Sequence, residues 1–231
     1  MWKSPKEIIL DLLWPKHCIN CGKEGKYLCD DCFALIDISR EPPCQGFKFL
    51  NGLYFPATYN EKIIQSAIHL CKYGYTKEIS KILSDLIIAH FKLLDNPNLF
   101  TPLSMSATKE EKANWILCAV PLHKSKLKQR GFNQSEEIAK HLSLFFEVPF
   151  ISEILLKTKK TSPQMFLNKD QRLKNVLNSF QINPQKKNKI LNKNILLVDD
   201  VFTTGATMEE CAKVLKQNHA QSVWGAVVAR D

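Results

Sequence analysis

Apolar and polar positions along this chain follow two alternating regimes. Short apolar runs of strand length occur at Trp115–Val120, Ile195–Val198 and Val223–Ala229, with shorter strand-like segments at Phe47–Phe49 and Leu53–Tyr59. Their length and content predict buried strands. Between them, apolar residues recur at helical spacing. One helix is expected from near Glu61 to Lys72-Tyr73-Gly74, where a basic residue and a glycine mark the stop. A second spans Lys77 to about Leu94 on Ile79, Ile82, Leu83, Leu86 and Ile87. A third follows Gly131–Ser135 to about Leu144, and a fourth starts after Thr207 on Met208, Cys211, Ala212 and Leu215. Residues 154–180 read as strand, exposed loop and helix, and 95–113 and 184–194 as polar connections. Strands alternating with helices over residues 55–231 predict an α/β fold, a mostly parallel sheet with helices on both faces. In such a sheet the ligand site lies past the carboxyl ends of the strands.

The N-terminal region departs from this rhythm. Residues 1–14 read as a short amphipathic helix, with Ile8, Ile9, Leu12 and Leu13 apolar and Trp2 and Trp14 at its ends. Its shortness and mixed charge favour packing on its neighbour over lying in a membrane surface. Cys18-x-x-Cys21 and Cys29-x-x-Cys32 follow, with Gly22 and Gly25 between them. Doubled CxxC spacing brings four soft thiolates to one tetrahedral zinc. Four protein ligands leave zinc no open position, so the expected role of Cys18, Cys21, Cys29 and Cys32 is one structural zinc. His17 and Cys44 are spare candidate ligands. A Pro42-Pro43 break then divides an N-terminal helix and zinc knuckle (1–44) from the α/β domain (45–231).

The chain of 231 residues has a net charge of +9, which favours an anionic partner without naming it. No apolar run is long enough to span a bilayer, and the N-terminus lacks the pattern of a secretory signal. The expected location is therefore the cytoplasm, where clustered cysteines bind metal more often than they form disulfides.

Chemistry concentrates in Ile195–Thr207. The strand ends in Asp199-Asp200, followed by Thr203-Thr204-Gly205-Ala206-Thr207 and a helix. Loop amides and a helix N-terminus facing one point suit a phosphate; Gly205 admits a close backbone approach, and the threonines add hydroxyl donors. The adjacent acids need hydroxyls to accept from, and a phosphorylated sugar supplies both groups. The alternative, an ordinary strand-to-helix turn capped by Asp and Thr, explains single residues but not the whole stretch. The stretch resembles the phosphoribosyl pyrophosphate (PRPP) signature of type I phosphoribosyltransferases. That resemblance implies that Asp199 and Asp200 hold the ribose hydroxyls and Thr203–Thr207 the 5-phosphate.

A second strand, Trp115–Val120, feeds Pro121-Leu122-His123, a basic loop with Lys124, Lys126, Lys128 and Arg130, and then Gly131-Phe132-Asn133-Gln134-Ser135. Four close cations suit a pyrophosphate or a nucleic-acid backbone. Phe132 either stacks on a base or staples the helix entry. Topology brings this loop and the Asp199-Asp200 loop to one crevice, and Lys72 is a further phosphate contact.

These features occur in one order: four cysteines, Lys72-Tyr73, Val120-Pro121-Leu122-His123, Arg130-Gly131-Phe132-Asn133-Gln134, Gln164 with Arg172 and Asn175, Phe180, and the PRPP stretch through Ala229-Arg230. Over nearly its whole length the chain resembles the ComF family of competence-associated, phosphoribosyltransferase-like proteins, in its ComFC branch. The resemblance implies type I phosphoribosyltransferase architecture, PRPP with Mg²⁺ as ligand, and affinity for single-stranded DNA. It also implies action in natural transformation, at the cytoplasmic side of the inner membrane beside the DNA-uptake machinery, moving incoming single-stranded DNA onward. PRPP contacts then fall on Lys72, His123, Lys128, Arg130, Asp199, Asp200 and Thr203–Thr207. DNA contacts fall on Lys124, Lys126, Lys128, Arg130 and Phe132. The competing expectation is a phosphoribosyltransferase acting on a nucleobase or other nucleophile.

Overall fold

The computed structural model describes residues 15–74, 76–94, 107–159 and 169–231. The helix expected over residues 1–14 lies outside them, as do Gln164 and residues 95–106 of the polar connection. In chain order the elements begin with α1 (Asp30–Ala34), β1 (Gly52–Tyr54), β2 (Ala57–Thr58), α2 (Lys62–Tyr73) and α3 (Glu78–Leu94). Next come α4 (Lys109–Ala113), β3 (Trp115–Ala119), α5 (Lys124–Arg130), α6 (Gln134–Phe146), β4 (Leu155–Lys157) and α7 (Lys169–Val176). The chain closes with β5 (Phe180–Ile182), a 3-10 turn at Pro184–Lys189, β6 (Asn194–Val198), β7 (Val201–Phe202), α8 (Ala206–Gln217), β8 (Ser222–Ala226) and β9 (Ala229–Arg230).

The central sheet is parallel, in the order β1-β8-β6-β3. Alternation along buried strands serves two cores at once. Trp115, Leu117, Ala119, Leu196 and Val198 pack with the apolar faces of α2, α3 and α6. Their neighbours Ile116, Cys118, Ile195 and Leu197 pack with Met208, Cys211, Ala212 and Leu215 of α8. Helices thus cover both faces, as the sequence pattern predicts.

Three central strands break at one level and resume as a second parallel sheet, β2-β9-β7. The breaks fall at Phe55-Pro56, Val227-Val228 and Asp199-Asp200. Backbone bonds keep them in step: the Val227 N–H donates to the Tyr54 carbonyl, and the Val228 N–H to that of Asp200, both at 3.0 Å. The expected strands at Leu53–Tyr59 and Val223–Ala229 are therefore each split in two.

Other expectations need correction, each for a local reason. Phe47–Phe49 is not a strand. The N–H groups of Lys48, Phe49 and Leu50 instead converge on the Glu209 carboxylate, at 2.7, 2.8 and 3.3 Å. The basic loop after His123 is helix α5, because both ends are capped. The His123 Nδ1 accepts from the Ser125 N–H, and Gly131 closes the helix at φ +79°. β5 pairs antiparallel with β4 and was not expected, since each strand is three residues long with one residue buried, too little for a periodic signal. α4 lies in a predicted connection; it rests on a Thr108–Glu111 capping box and buries no residue.

The Glu209 contacts tie the segment between the cysteines and β1 to the first turn of α8. Phe47 adds an edge-to-face contact with Phe202, at 5.4 Å between ring centroids. Glu209→Ala leaves three N–H groups without their charged acceptor and is expected to cost about 2 kcal/mol, lowering Tm by roughly 4–8 °C. Thermal unfolding of the variant checks this, and an unchanged Tm refutes it.

Candidate functional site

Cys18, Cys21, Cys29 and Cys32 place their sulfurs within 4.8 Å of one another. The first pair lies on a turn closed by the Gly22 N–H donating to the Cys18 carbonyl (2.9 Å), while Cys29 caps α1 and Cys32 lies inside it. Burial opposes ionisation of Cys18, but N–H groups of Cys21, Cys29 and Asn20 outweigh it and draw the thiol down to about 6. At Cys32 the Asn20 amide favours the thiolate, yet burial and the three neighbouring sulfurs push it up to about 12. Four thiols competing for negative charge at one point suit a divalent cation, which stabilises all four as thiolates. The set fits a structural zinc. Cys44 stands apart: its sulfur accepts from the Arg230 guanidinium at 3.1 Å.

The second centre is the acid pair in the break between β6 and β7. Asp200 is buried, and its Oδ2 accepts from the Lys72 ammonium at 2.8 Å and from the Gln134 side-chain amide at 3.1 Å. Burial works against charge on Lys72, but the Asp200 carboxylate more than offsets it and holds the ammonium above its usual value. The Asp199 Oδ1 accepts from the Ser135 hydroxyl at 2.8 Å and from the Asp200 N–H at 2.9 Å. Burial and the neighbouring Asp200 charge nevertheless push the Asp199 carboxyl up to about 7. One acid is ion-paired, while the other holds a proton near neutrality.

The stretch Arg130-Gly131-Phe132-Asn133-Gln134 builds this centre rather than merely bordering it. Arg130 donates to the Gln134 oxygen at 2.6 Å, and Gln134 passes the contact to Asp200. Gly131 supplies the left-handed turn, and Asn133 caps α6 while donating to the Val120 carbonyl at 3.0 Å. Phe132 is buried with the core around α2 and α6, so it cannot stack on a base. Gln134 and Ser135 were missed as acid partners in the sequence; a run of polar residues at a helix start was their only signal.

Behind the acids, Gly205 opens α8 at φ +77°, and a Cβ there would meet the Phe202 ring. Gly205 is thus required both for its backbone and for the space beneath it. Gly205, as the residue that opens the helix, has no side chain with which to cap it. Thr203, Thr204, Ala206 and Thr207 surround it at the same end of the sheet as Asp199 and His123.

Cations gather near the acids. Lys124, Lys126 and Lys128 are exposed on α5. Burial of its amine, with repulsion from Arg130 and Lys72, holds Lys126 below its usual value. Lys157 of β4 is held down by burial and by Lys126, and it also feels Asp199. The cleft therefore holds mutually repelling cations around an acid pair, a field that an entering polyanion relieves.

Comparison with known proteins fits this geometry. A family described as "Phosphoribosyl transferase domain" matches residues 128–231, and "Double zinc ribbon domain" matches residues 9–47. The chain is 32% identical to Competence protein F of Haemophilus influenzae over 211 residues, 90% of this chain and 83% of that protein. The chain belongs to the ComF family. It is also 30% identical to DNA utilization protein YhgH of Escherichia coli O157:H7, covering 89% of this chain and 85% of that one. Identity to Competence protein ComFC of Bacillus subtilis is 33%, over 51% of this chain and 45% of its relative. Among the described residues of this ComF protein, no helix is long and apolar enough to cross a membrane.

Proposed function

We propose that this ComF protein binds PRPP with Mg²⁺ in the Asp199-Asp200 cleft and single-stranded DNA along the cationic wall, assisting movement of incoming DNA across the inner membrane. The observation that carries the reading is the acid pair, followed after β7 by the glycine-opened helix start at Gly205, with Lys72, Lys126, Arg130 and Lys157 nearby. Ribose hydroxyls donate to Asp199 and Asp200, and the 5-phosphate takes the N–H groups at Thr203–Thr207. The pyrophosphate lies toward Lys72, His123, Lys128 and Arg130. Mg²⁺ is commonly held by one or two carboxylates plus substrate phosphates, which suits a pair of acids beside a polyphosphate cleft. The relatives' names, competence and DNA utilization, supply the link to DNA.

A transferase reading shares this cleft and is favoured by the match of residues 128–231 to a phosphoribosyl transferase domain. In it the C1–O bond to pyrophosphate breaks as a bond to an acceptor nucleophile forms. Release of pyrophosphate from PRPP only in the presence of an acceptor distinguishes it from binding alone.

PRPP with Mg²⁺ at about 100 times Kd is expected to stabilise the protein by roughly 3 kcal/mol and raise Tm by about 5–10 °C. Asp199→Ala with Asp200→Ala removes that shift; a shift that persists sinks the ligand assignment. Single-stranded DNA affinity should fall steeply with salt. Replacing Lys126, Lys128 and Arg130 by alanine should lower the log–log slope by about 2. A flat salt dependence removes the DNA reading. Transformation frequency of the double Asp variant then tests whether the phosphosugar site serves DNA uptake.

A further inference from the structure

With Phe132 buried, the DNA reading lacks the aromatic surface that a single strand needs. Tyr73 supplies one. It is the last residue of α2, next to Lys72, and is 54% exposed. Isolated exposed tyrosines need no explanation, but this one is held against two neighbours. The His69 ring, one turn earlier on α2 and also exposed, lies 4.7 Å from it, centroid to centroid, at 43°. The Arg130 guanidinium carbon lies 5.7 Å from the Tyr73 centroid. Arg130 is itself fixed by Gln134, which also donates to Asp200. Imidazole, phenol and guanidinium therefore form one contiguous cluster leading from the acid pair to solvent, with Lys126 close enough to repel Arg130.

We propose that the His69–Tyr73–Arg130 cluster is the base-binding platform for single-stranded DNA, and that the exposed lysines of α5 hold the strand's phosphates beside it. Tyrosine, histidine and guanidinium planes are the groups on which unpaired bases stack, and stacking is indifferent to base identity. The arrangement suits a protein that handles DNA of any sequence. The sequence offered Phe132 as the stacking residue; the fold places Tyr73 there. This inference rests on the DNA reading given above, and its test separates the two.

The experiment measures binding of the full-length, zinc-loaded protein to a fluorescent oligothymidylate. A strand of equal length made of abasic units carries the same phosphates without bases. Wild type is expected to prefer the base-bearing strand. Tyr73→Ala should weaken oligothymidylate binding roughly 5- to 150-fold for each base stacked, abolish the preference over the abasic strand and leave the salt slope unchanged. Tyr73→Trp should keep the preference, and His69→Ala should reduce it. The thermal shift with PRPP and Mg²⁺ should survive Tyr73→Ala, which shows that the cleft is intact. Equal loss on both strands with a shallower salt slope would mean that Tyr73 only positions Arg130, and it overturns the proposal. Unchanged affinity of Tyr73→Ala for oligothymidylate overturns it as well. If wild type binds neither strand, the DNA reading itself falls, while the PRPP shift stands or falls separately.

Discussion

Asp199→Asn is expected to make the ligand-free protein more stable at pH 8 and to remove the proposed binding of PRPP. The folded carboxyl sits at about 7 against an ordinary value of 3.8, with burial and the Asp200 charge as the main causes. Below about pH 4 it is protonated in both folded and unfolded states and contributes nothing. Between that pH and about 7 the folded protein keeps a proton that the unfolded chain has released, so stability falls as pH rises. Above about 7 the whole penalty stands. Asparagine keeps an Oδ1 for the Ser135 hydroxyl and the Asp200 N–H but carries no charge. The expected gain is roughly 2–4 kcal/mol at pH 8, or about 5–15 °C in Tm, shrinking to nothing near pH 4. Thermal unfolding from pH 4 to 8 reads it directly. A variant less stable than wild type at pH 8 would show that Asp199 is not a strained site. Under the proposed PRPP reading the penalty has a functional sense, because sugar hydroxyls donating to Asp199 would favour its charged form.

Removing zinc is the second large effect. Cys18, Cys29 and Cys32 are buried and belong to one apolar cluster with Leu28, Ile36, Tyr54 and the inner faces of α2 and α3. The cysteine module is thus continuous with one wall of the α/β core. Structural zinc contributes on the order of 10 kcal/mol to small metal-dependent folds. Here a chelator strong enough to strip the ion, or Cys29→Ser, is expected to lower Tm by roughly 10–20 °C, since part of the core can stay folded without it. Metal analysis should find zinc bound before treatment. A protein that unfolds at the same temperature with and without chelator contradicts a structural role for the cluster.

What was legible in the sequence follows from how local each signal is. The Ile195–Val198 and Trp115–Val120 runs declared themselves as strands because both of their faces are buried. α2, α3, α6 and α8 were readable from one-sided apolar spacing. β5 was not, since its three half-exposed residues depend on β4 for their hydrogen bonds. The 47–49 segment misled because its aromatics suit a strand, whereas its N–H groups go to Glu209, about 160 positions away.

The same division runs through the site. Composition and spacing alone marked out the cysteine quartet, the adjacent acids and the Gly205 turn, because each is a local run of sequence. Tertiary structure decided that Asp200 pairs with Lys72, that Gln134 and Ser135 hold the two acids, that Lys157 joins the cations and that Phe132 is core while Tyr73 faces solvent. Each of those outcomes depends on which strand ends the fold draws together. That juxtaposition is set by burial of two apolar faces over the whole sheet, which a local motif cannot express.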